Sequence, residues 1–256
     1  MSDEMTRPHV LLSCAMSIDG YIDDATDRRL LLSNDEDFDR VDAERAKVDA
    51  ILVGASTIRQ DNPRLLVRSD DRQAARVAAG LPASPTKVTL TGTGNLNPES
   101  KFFTAGDVEK LVYCPSEAAT KTTALLAENS SVIVIDAGES LDLSRILTDL
   151  AARGIERLMV EGGQTMHTQF LTAGLVDELQ LVVAPFFVGN SQAPRFVADG
   201  KYPWTSDNRM ELEAVQQIGG VVLLRYQPGP KGPRHVTTPY APRIAADRLE
   251  SDHPAP

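Results

Sequence analysis

The sequence concentrates its chemical potential in Val160-Glu161-Gly162-Gly163-Gln164-Thr165, a glycine pair at the junction of an apolar, strand-like run and a helix-like one. Two glycines remove side chains that would block close backbone approach. The free N–H groups opening the helix, at its positive dipole end, suit a phosphate or pyrophosphate. A tight strand-to-helix turn capped by Thr165 accounts for the same residues equally well. The pair is not the G-x-G-x-x-G pattern of the dinucleotide fold, and no other segment matches that pattern, so a Rossmann domain is disfavoured.

Cations gather in two further places. Phe38, Val41 and Arg45 recur at helical spacing, which aims the Arg45 guanidinium at the packed side of a helix. An unpaired cation is costly to bury, so Arg45 needs an anion, either a protein carboxylate or a ligand phosphate. The run Asp61-Asn62-Pro63-Arg64-Leu65-Leu66-Val67-Arg68 joins a pre-proline residue, which favours extended backbone, to two more cations. Taken alone it is a loop with a solvated basic face. Ser17-Ile18-Asp19-Gly20 sets polar groups directly after an apolar run, where open α/β sheets gather ligands, although Asp-Gly is also a common turn. His9, His167, His235 and His253 are far apart, and Cys14 and Cys114 lie in apolar runs without CxxC spacing. No metal set, catalytic triad or G-x-S-x-G elbow emerges.

Strands must deliver these groups to one edge. Residues 10–17 read as a buried strand ended by Asp19-Gly20, and 49–54 as a second. Between them Ser33 and Glu36 stand in capping-box spacing, followed by a helix to about residue 48. Strand, helix, strand implies a parallel crossover. Residues 69–85 read as a polar, Ala-rich surface excursion. Strands are predicted at 87–90, 110–114, 132–135, 157–160 and 177–185, with helices at 141–153 and 165–173 ending at Gly154 and Gly174. Two late β-rich runs, 210–217 and 221–226, flank Gly219-Gly220, a hairpin signal. The expected fold class is α/β, with a mixed, mainly parallel central sheet and an antiparallel C-terminal hairpin. One domain is expected over 1–227, and 228–256, rich in Pro, Arg, Asp and His, read as a mobile tail.

The charged groups sum to 26 − 36 = −10, which argues against a broad nucleic-acid footprint, and an anionic ligand would need a local basic pocket set against that field. No window approaches a membrane span and the start is charged, so a cytoplasmic protein is expected.

In their order, S-I-D-G (17–20), D-A-I-L-V-G-A-S-T-I (49–58), D-N-P-R-L-L-V-R (61–68) and V-E-G-G-Q-T (160–165) before F-L-x-x-G-L-V-D-E-L (170–179) resemble the pyrimidine reductase of riboflavin biosynthesis, a family with the dihydrofolate reductase fold. The resemblance runs from about residue 8 to 227 and implies a three-layer fold, the sheet flanked by helices. It implies a homodimer and an NADPH-dependent reduction of the ribosylamino group of a 5-amino or 2,5-diamino pyrimidine phosphate to a ribitylamino group. The sugar opens to an imine-like carbon that accepts hydride, so the protein's task is positioning, phosphate binding and proton supply. Matched residue by residue, Ser33, Thr57, Asp61, Gly92 and Thr93 fall at the cofactor site, with Gly162, Gly163, Gln164, Thr165, Met166 and His167 as its pyrophosphate loop. Arg45, Asn62, Leu65 and Arg68 fall at substrate contacts, the two arginines as the phosphate clamp. Glu161 falls where substrate and nicotinamide meet, and no metal is implied.

The chain departs from the family in three ways. It lacks the H-x-E and P-C-x-x-C signature of a deaminase domain, so a stand-alone reductase is expected. Leu31-Leu32-Ser33 replaces a W-I-T or W-I-S segment, and Arg29 stands where a small polar residue is common. Asn62 replaces the second acid of a D-D-P segment, and an amide cannot donate a proton as an acid does. Asp19, Glu161 or water are then the candidate donors. Two alternatives follow: a reductase of the same fold acting on a pterin, folate or secondary-metabolite pyrimidine, and a non-catalytic NADPH-binding regulatory protein. Arg59, Lys87 and Lys101 are candidate partners for a 2′-phosphate.

Overall fold

A computed structural model of the chain describes residues 7–26 and 30–229. Arg29, the histidines at 235 and 253, and the expected tail from 230 onward lie outside the described residues. The strands are β1 (His9–Ser17), β2 (Ala50–Gly54), β3 (Thr86–Leu90), β4 (Lys110–Cys114), β5 (Val132–Asp136), β6 (Arg157–Gly162), β7 (Glu178–Ala184), β8 (Glu211–Ile218) and β9 (Val221–Gln227). They form one nine-stranded sheet in the order β5-β4-β3-β2-β6-β1-β7-β9-β8. Pairing is parallel from β5 through β7, and antiparallel where β9 joins β7 and β8 joins β9. This is the mixed sheet with a terminal hairpin that the sequence predicts.

Central strands are apolar on both sides because helices cover both faces. Val10, Leu12, Leu52, Val88, Leu158 and Val160 share one core with α6 (Leu143–Ala152) and α7 (Gln164–Thr172). Leu11, Ile51, Val53, Val112 and Met159 face a second core with α1 (Asp35–Arg45), α2 (Ala55–Asp61), α4 (Lys101–Thr104) and α5 (Ser116–Leu126). Period-two alternation along each strand divides these residues between the cores.

The structure corrects several local expectations. The 69–85 excursion contains a helix, α3 (Asp70–Ala78), begun by a cap in which the Ser69 hydroxyl accepts the Arg72 N–H. The α1 cap is Asn34, whose side chain accepts the Asp37 N–H, while Ser33 instead donates its hydroxyl to the Asp37 carboxylate. On α1 the fully buried residues are Asp37, Asp42 and Glu44 rather than the Phe38–Val41 stripe. They are buried because they satisfy neighbouring donors: Asp42 accepts the N–H groups of Arg68 at 2.5 Å and Ser69 at 3.1 Å, and pairs with Arg72. Among the described residues no helix is long and apolar enough to cross a membrane, and no group of three or more His, Cys, Asp or Glu could hold a metal.

Candidate functional site

Parallel pairing brings the C-terminal ends of β1, β3, β2 and β6 to one edge of the sheet. There α2 leaves β2 for the second core, whereas α7 leaves the adjacent β6 for the first. Helices diverging from neighbouring strands open a crevice, the position where open α/β sheets bind ligands. The cleft has a volume of ≈ 1310 Å³. A pocket for one small ligand occupies roughly 300–1,000 Å³, so there is room for a dinucleotide and a second molecule.

Glu161 reaches this cleft through an irregularity. Leu52 pairs with Val160 and Val53 with Gly162, so Glu161 is the extra residue of a bulge in β6. Bulges re-aim side chains beside functional sites. Its carboxylate receives the Arg45 guanidinium edge-on, Nε to Oε1 at 2.6 Å and Nη2 to Oε2 at 2.5 Å. Arg45 also donates Nη1–H to the Leu66 carbonyl at 3.3 Å. Both side chains are mostly buried, at 15% and 12% exposure. Burial disfavours the Arg45 cation, but the opposing Glu161 charge and its hydrogen bonds outweigh this and raise the Arg45 pKa. The anion that Arg45 needs is therefore a protein carboxylate.

Immediately beyond Glu161, Gly163 adopts φ 95° and ψ 134° and serves as the N-cap of α7 without any side-chain cap. The expected Thr165 cap does not form, because the helix has already begun at Gln164. A Cβ on Gly163 would lie 2.9 Å from Thr57 Oγ1, so both conformation and space require glycine there. On the β2 side, a Cβ on Gly54 would meet Met166 Cγ at 3.1 Å. The uncapped N–H groups of the first turn of α7 thus open on the cleft beside Thr57.

Another wall of the cleft is the segment after α2. Asn62 has φ 44° and ψ 52°, a left-handed C-cap rather than the extended conformation expected before proline. Its Oδ1 accepts the Lys101 N–H at 2.6 Å, and its own N–H bonds the Ile58 carbonyl at 3.2 Å, closing the helix. Leu65, with φ 49°, is the other described non-glycine residue at positive φ, and it is buried. Such residues cost of order 1–3 kcal/mol each and cluster at ligand clamps. The wall is cinched by the Val67 N–H on Ser84 Oγ and by Gln73 Nε2 on the Val67 carbonyl.

The cleft brings together Ser33, Thr57, Asp61, Gly92, Thr93, Gly162 to His167, Arg45, Asn62, Leu65, Arg68 and Glu161. Within this set, Met166 packs into the core. The His167 ring is buried with Nδ1 3.1 Å from the Phe196 carbonyl, and burial pushes its pKa down to about 4. That side chain serves packing, held against the segment that carries Phe196. Asp19 does not line the cleft. Burial opposes its ionisation, but the Ser17 hydroxyl and the N–H groups of Val188 and Gly189 outweigh that and lower its pKa, making it a brace between loops and a poor proton donor. Lys87 is fully buried, donating to the Phe102 and Ala105 carbonyls, and cannot meet a 2′-phosphate, while Arg59 and Lys101 line the cleft. Sequence reasoning missed Asp37, at the cleft floor between Ser33 and Arg40; an acid in the first turn of α1 beside Ser33 was the available signal.

Residues 8–224 match the family described as the RibD C-terminal domain. The chain is 34% identical over 221 residues to the 2,5-diamino-6-ribosylamino-4(3H)-pyrimidinone 5′-phosphate reductase of Methanothermobacter thermautotrophicus, covering 86% of this chain and 98% of that protein. Against the protein of the same name from Archaeoglobus fulgidus the identity is 30% over 213 residues, covering 83% and 94%. A crystal structure of a pyrimidine reductase-like protein from Corynebacterium diphtheriae is similar with a TM-score of 0.72 at 25% identity, covering 86% of this chain and 92% of that one.

Proposed function

The chain belongs to the RibD C-terminal domain family, and on that premise we propose that it is the NADPH-dependent reductase that converts the ribosylamino group of a 2,5-diamino or 5-amino pyrimidine phosphate to a ribitylamino group in riboflavin biosynthesis. The observation that carries this reading is one cleft with two unlike ends: an uncapped helix start behind a left-handed glycine, and a carboxylate fixed by a buried arginine.

The first end fits a dinucleotide. The bare Cα of Gly163 and the N–H groups opening α7 suit a diphosphate, with Thr57 beside Gly163 and with Asp61, Gly92, Thr93 and Ser33 lining the same cleft. The reduced nicotinamide, when bound, supplies the hydride. At the second end, Glu161 keeps lone pairs beyond those it gives Arg45 and can accept hydrogen bonds from a polyol or pyrimidine amino group, fixing the acceptor carbon against the cofactor. Asn62, Leu65 and Arg68 line the cleft wall and in this reading would contact the substrate. Asp19 lies away from the cleft and both Glu161 oxygens accept from Arg45, which leaves water as the proton source in this reading.

The test is loss of reduced-nicotinamide absorbance when the protein receives NADPH with each candidate substrate. Turnover of the ribosylamino pyrimidine phosphate is expected; turnover of dihydrofolate alone would replace this assignment. A homodimer, which the resemblance implies, and a cytoplasmic setting, which the sequence suggests, belong to the same proposal, and light scattering on the purified chain tests the former.

A further inference from the structure

We propose that Ser33 meets the bound reactants only as a hydrogen-bond acceptor, its polarity set by a buried chain through Asp37, Arg40 and Gln180, and that it selects a ligand with an exocyclic amino group. The inference deepens the reading of this cleft as a reductase site and rests on it.

Ser33, Asp37 and Arg40 all line the cleft, and the hydrogen bonds beneath them run in one sense. Glu178 on β7 accepts the Gln180 Nε2–H at 2.8 Å. Arg40, which has donors only, gives Nη1–H to Gln180 Oε1 at 2.5 Å. Set between an acceptor and a donor, the Gln180 amide has one permitted orientation. Arg40 also gives Nε–H to Asp37 Oδ1 at 2.6 Å, and the Ser33 hydroxyl donates to the other oxygen, Oδ2. Asp37 and Gln180 are each 1% exposed, so the chain is shielded from solvent.

A hydroxyl holds one proton. That of Ser33 is committed to Asp37, and Oγ keeps only lone pairs for a ligand. The start of α1 needs neither side chain, because Asn34 Oδ1 already accepts the Asp37 N–H at 2.9 Å. A ligand group that meets Oγ is therefore bound if it donates and disfavoured if it accepts, since a buried polar network tolerates no unpaired member cheaply. The reduced nicotinamide offers such a donor in its carboxamide NH2, and a 2,5-diaminopyrimidine in its 2-amino group. Ser33 cannot release a proton to the reaction, in keeping with water as the proton source.

The experiment compares the full chain with S33A, S33T and D37N on two ligand pairs that differ in one amino group. One pair is the 2,5-diamino and the deaminated pyrimidine phosphate, ranked by kcat/KM with NADPH; the other is NADPH and its reduced 3-acetylpyridine analogue, ranked by calorimetry. The wild type is expected to favour the amino-bearing member of one pair by about tenfold, and the pair that shows it identifies the donor as substrate or cofactor. S33A should abolish that preference, whereas S33T, which keeps the hydroxyl, should retain most of it. D37N reverses the end of the chain: Arg40 still requires an oxygen, so the new amide nitrogen turns to Ser33 and frees its O–H for the cleft. The preference should then be lost or inverted, a change that a merely structural pair would not produce. No preference in the wild type for either pair, or wild-type preferences in S33A or in D37N, would overturn the proposal. If D37N does not fold, loss in S33A with retention in S33T keeps the acceptor role, and preference retained in S33A removes it. If the wild type reduces neither pyrimidine phosphate, the functional reading falls, and calorimetry on both pairs decides the acceptor role by the same outcomes.

Discussion

Replacing Gly163 by alanine tests the cofactor end of the cleft at its most constrained point. At φ 95° and ψ 134° an L side chain is strained, at a cost of about 1–3 kcal/mol. Stiffening the unfolded chain returns about 0.4–1 kcal/mol of that. The new Cβ would also stand 2.9 Å from Thr57 Oγ1, so either Thr57 or the 163–164 peptide must move. The net loss is then about 1–2 kcal/mol, or roughly 2–8 °C in Tm for a chain of this size. Because the peptide that moves opens α7, NADPH affinity should fall at least tenfold, measured by calorimetry. Gly162→Ala is the matched control. Its Cβ would meet Thr57 only at 3.5 Å, and Gly162 is not left-handed, so it should cost less in both Tm and affinity. Equal effects of the two substitutions, or wild-type NADPH binding by G163A, would refute the placing of the diphosphate at this turn.

Arg45→Met should destabilise the chain by about 3–5 kcal/mol in denaturant titrations, because Glu161 is left buried without its partner, whereas the R45M/E161M double variant should recover much of that loss. Asn62→Ala should cost about 1–2 kcal/mol, through the left-handed backbone and the lost Lys101 N–H bond, and Asn62→Gly should cost less; equal losses would deny the conformational part. Burial, with help from Lys110 and Arg45, pushes the Lys87 pKa down to about 7. Between that value and an unfolded pKa of about 10.4 the unfolded chain holds a proton that the folded chain has shed, so wild-type stability should rise with pH from about 7 to about 10 relative to K87M. Parallel stability curves for the two proteins would show that Lys87 keeps its proton.

The alternation of strands and helices and the mixed character of the sheet were legible because the central strands are short, apolar and separated by turn and helix signals, whereas the order of the strands in the sheet was not. Gly154 and Gly174 mark helix ends with φ 84° and 65°, as their position after an amphipathic run implies. What escaped was set by tertiary partners. The polarity of α3 hides a helix because Arg76, its one buried residue, is accommodated by the carbonyls of Ala46, Val48 and Pro82. Asn62 departs from the pre-proline preference because its side chain and N–H are both bonded in the left-handed form. At the site, the residue types of Arg45 and Glu161 were visible but their mutual contact was not, since it joins positions 116 apart through a bulge that no local pattern encodes.

The contrast between a net charge of −10 and an anion-binding cleft has a structural resolution in where the carboxylates point. Asp37, Asp42 and Glu161 are turned inward, each holding donors of the cleft wall: Ser33 and Arg40, the 68–69 backbone and Arg72, and Arg45 respectively. A carboxylate saturated in this way is screened at short range by the cation it holds. Arg64, Arg68 and Lys101, which form no ion pair with a carboxylate among the described residues, are left at the mouth, where solvent-exposed charge acts over about 8–10 Å at moderate salt. The acidic exterior therefore repels anions only at long range, and the cleft attracts them close in. Added salt should relieve the distant repulsion and weaken the local attraction together, so its effect on KM for a phosphorylated substrate is expected to be small in the wild type. With Arg64, Arg68 and Lys101 all replaced by alanine the repulsion would dominate, and KM should fall as salt is raised. A steep rise of KM with salt in both proteins would mean that long-range attraction, and not this local arrangement, governs binding.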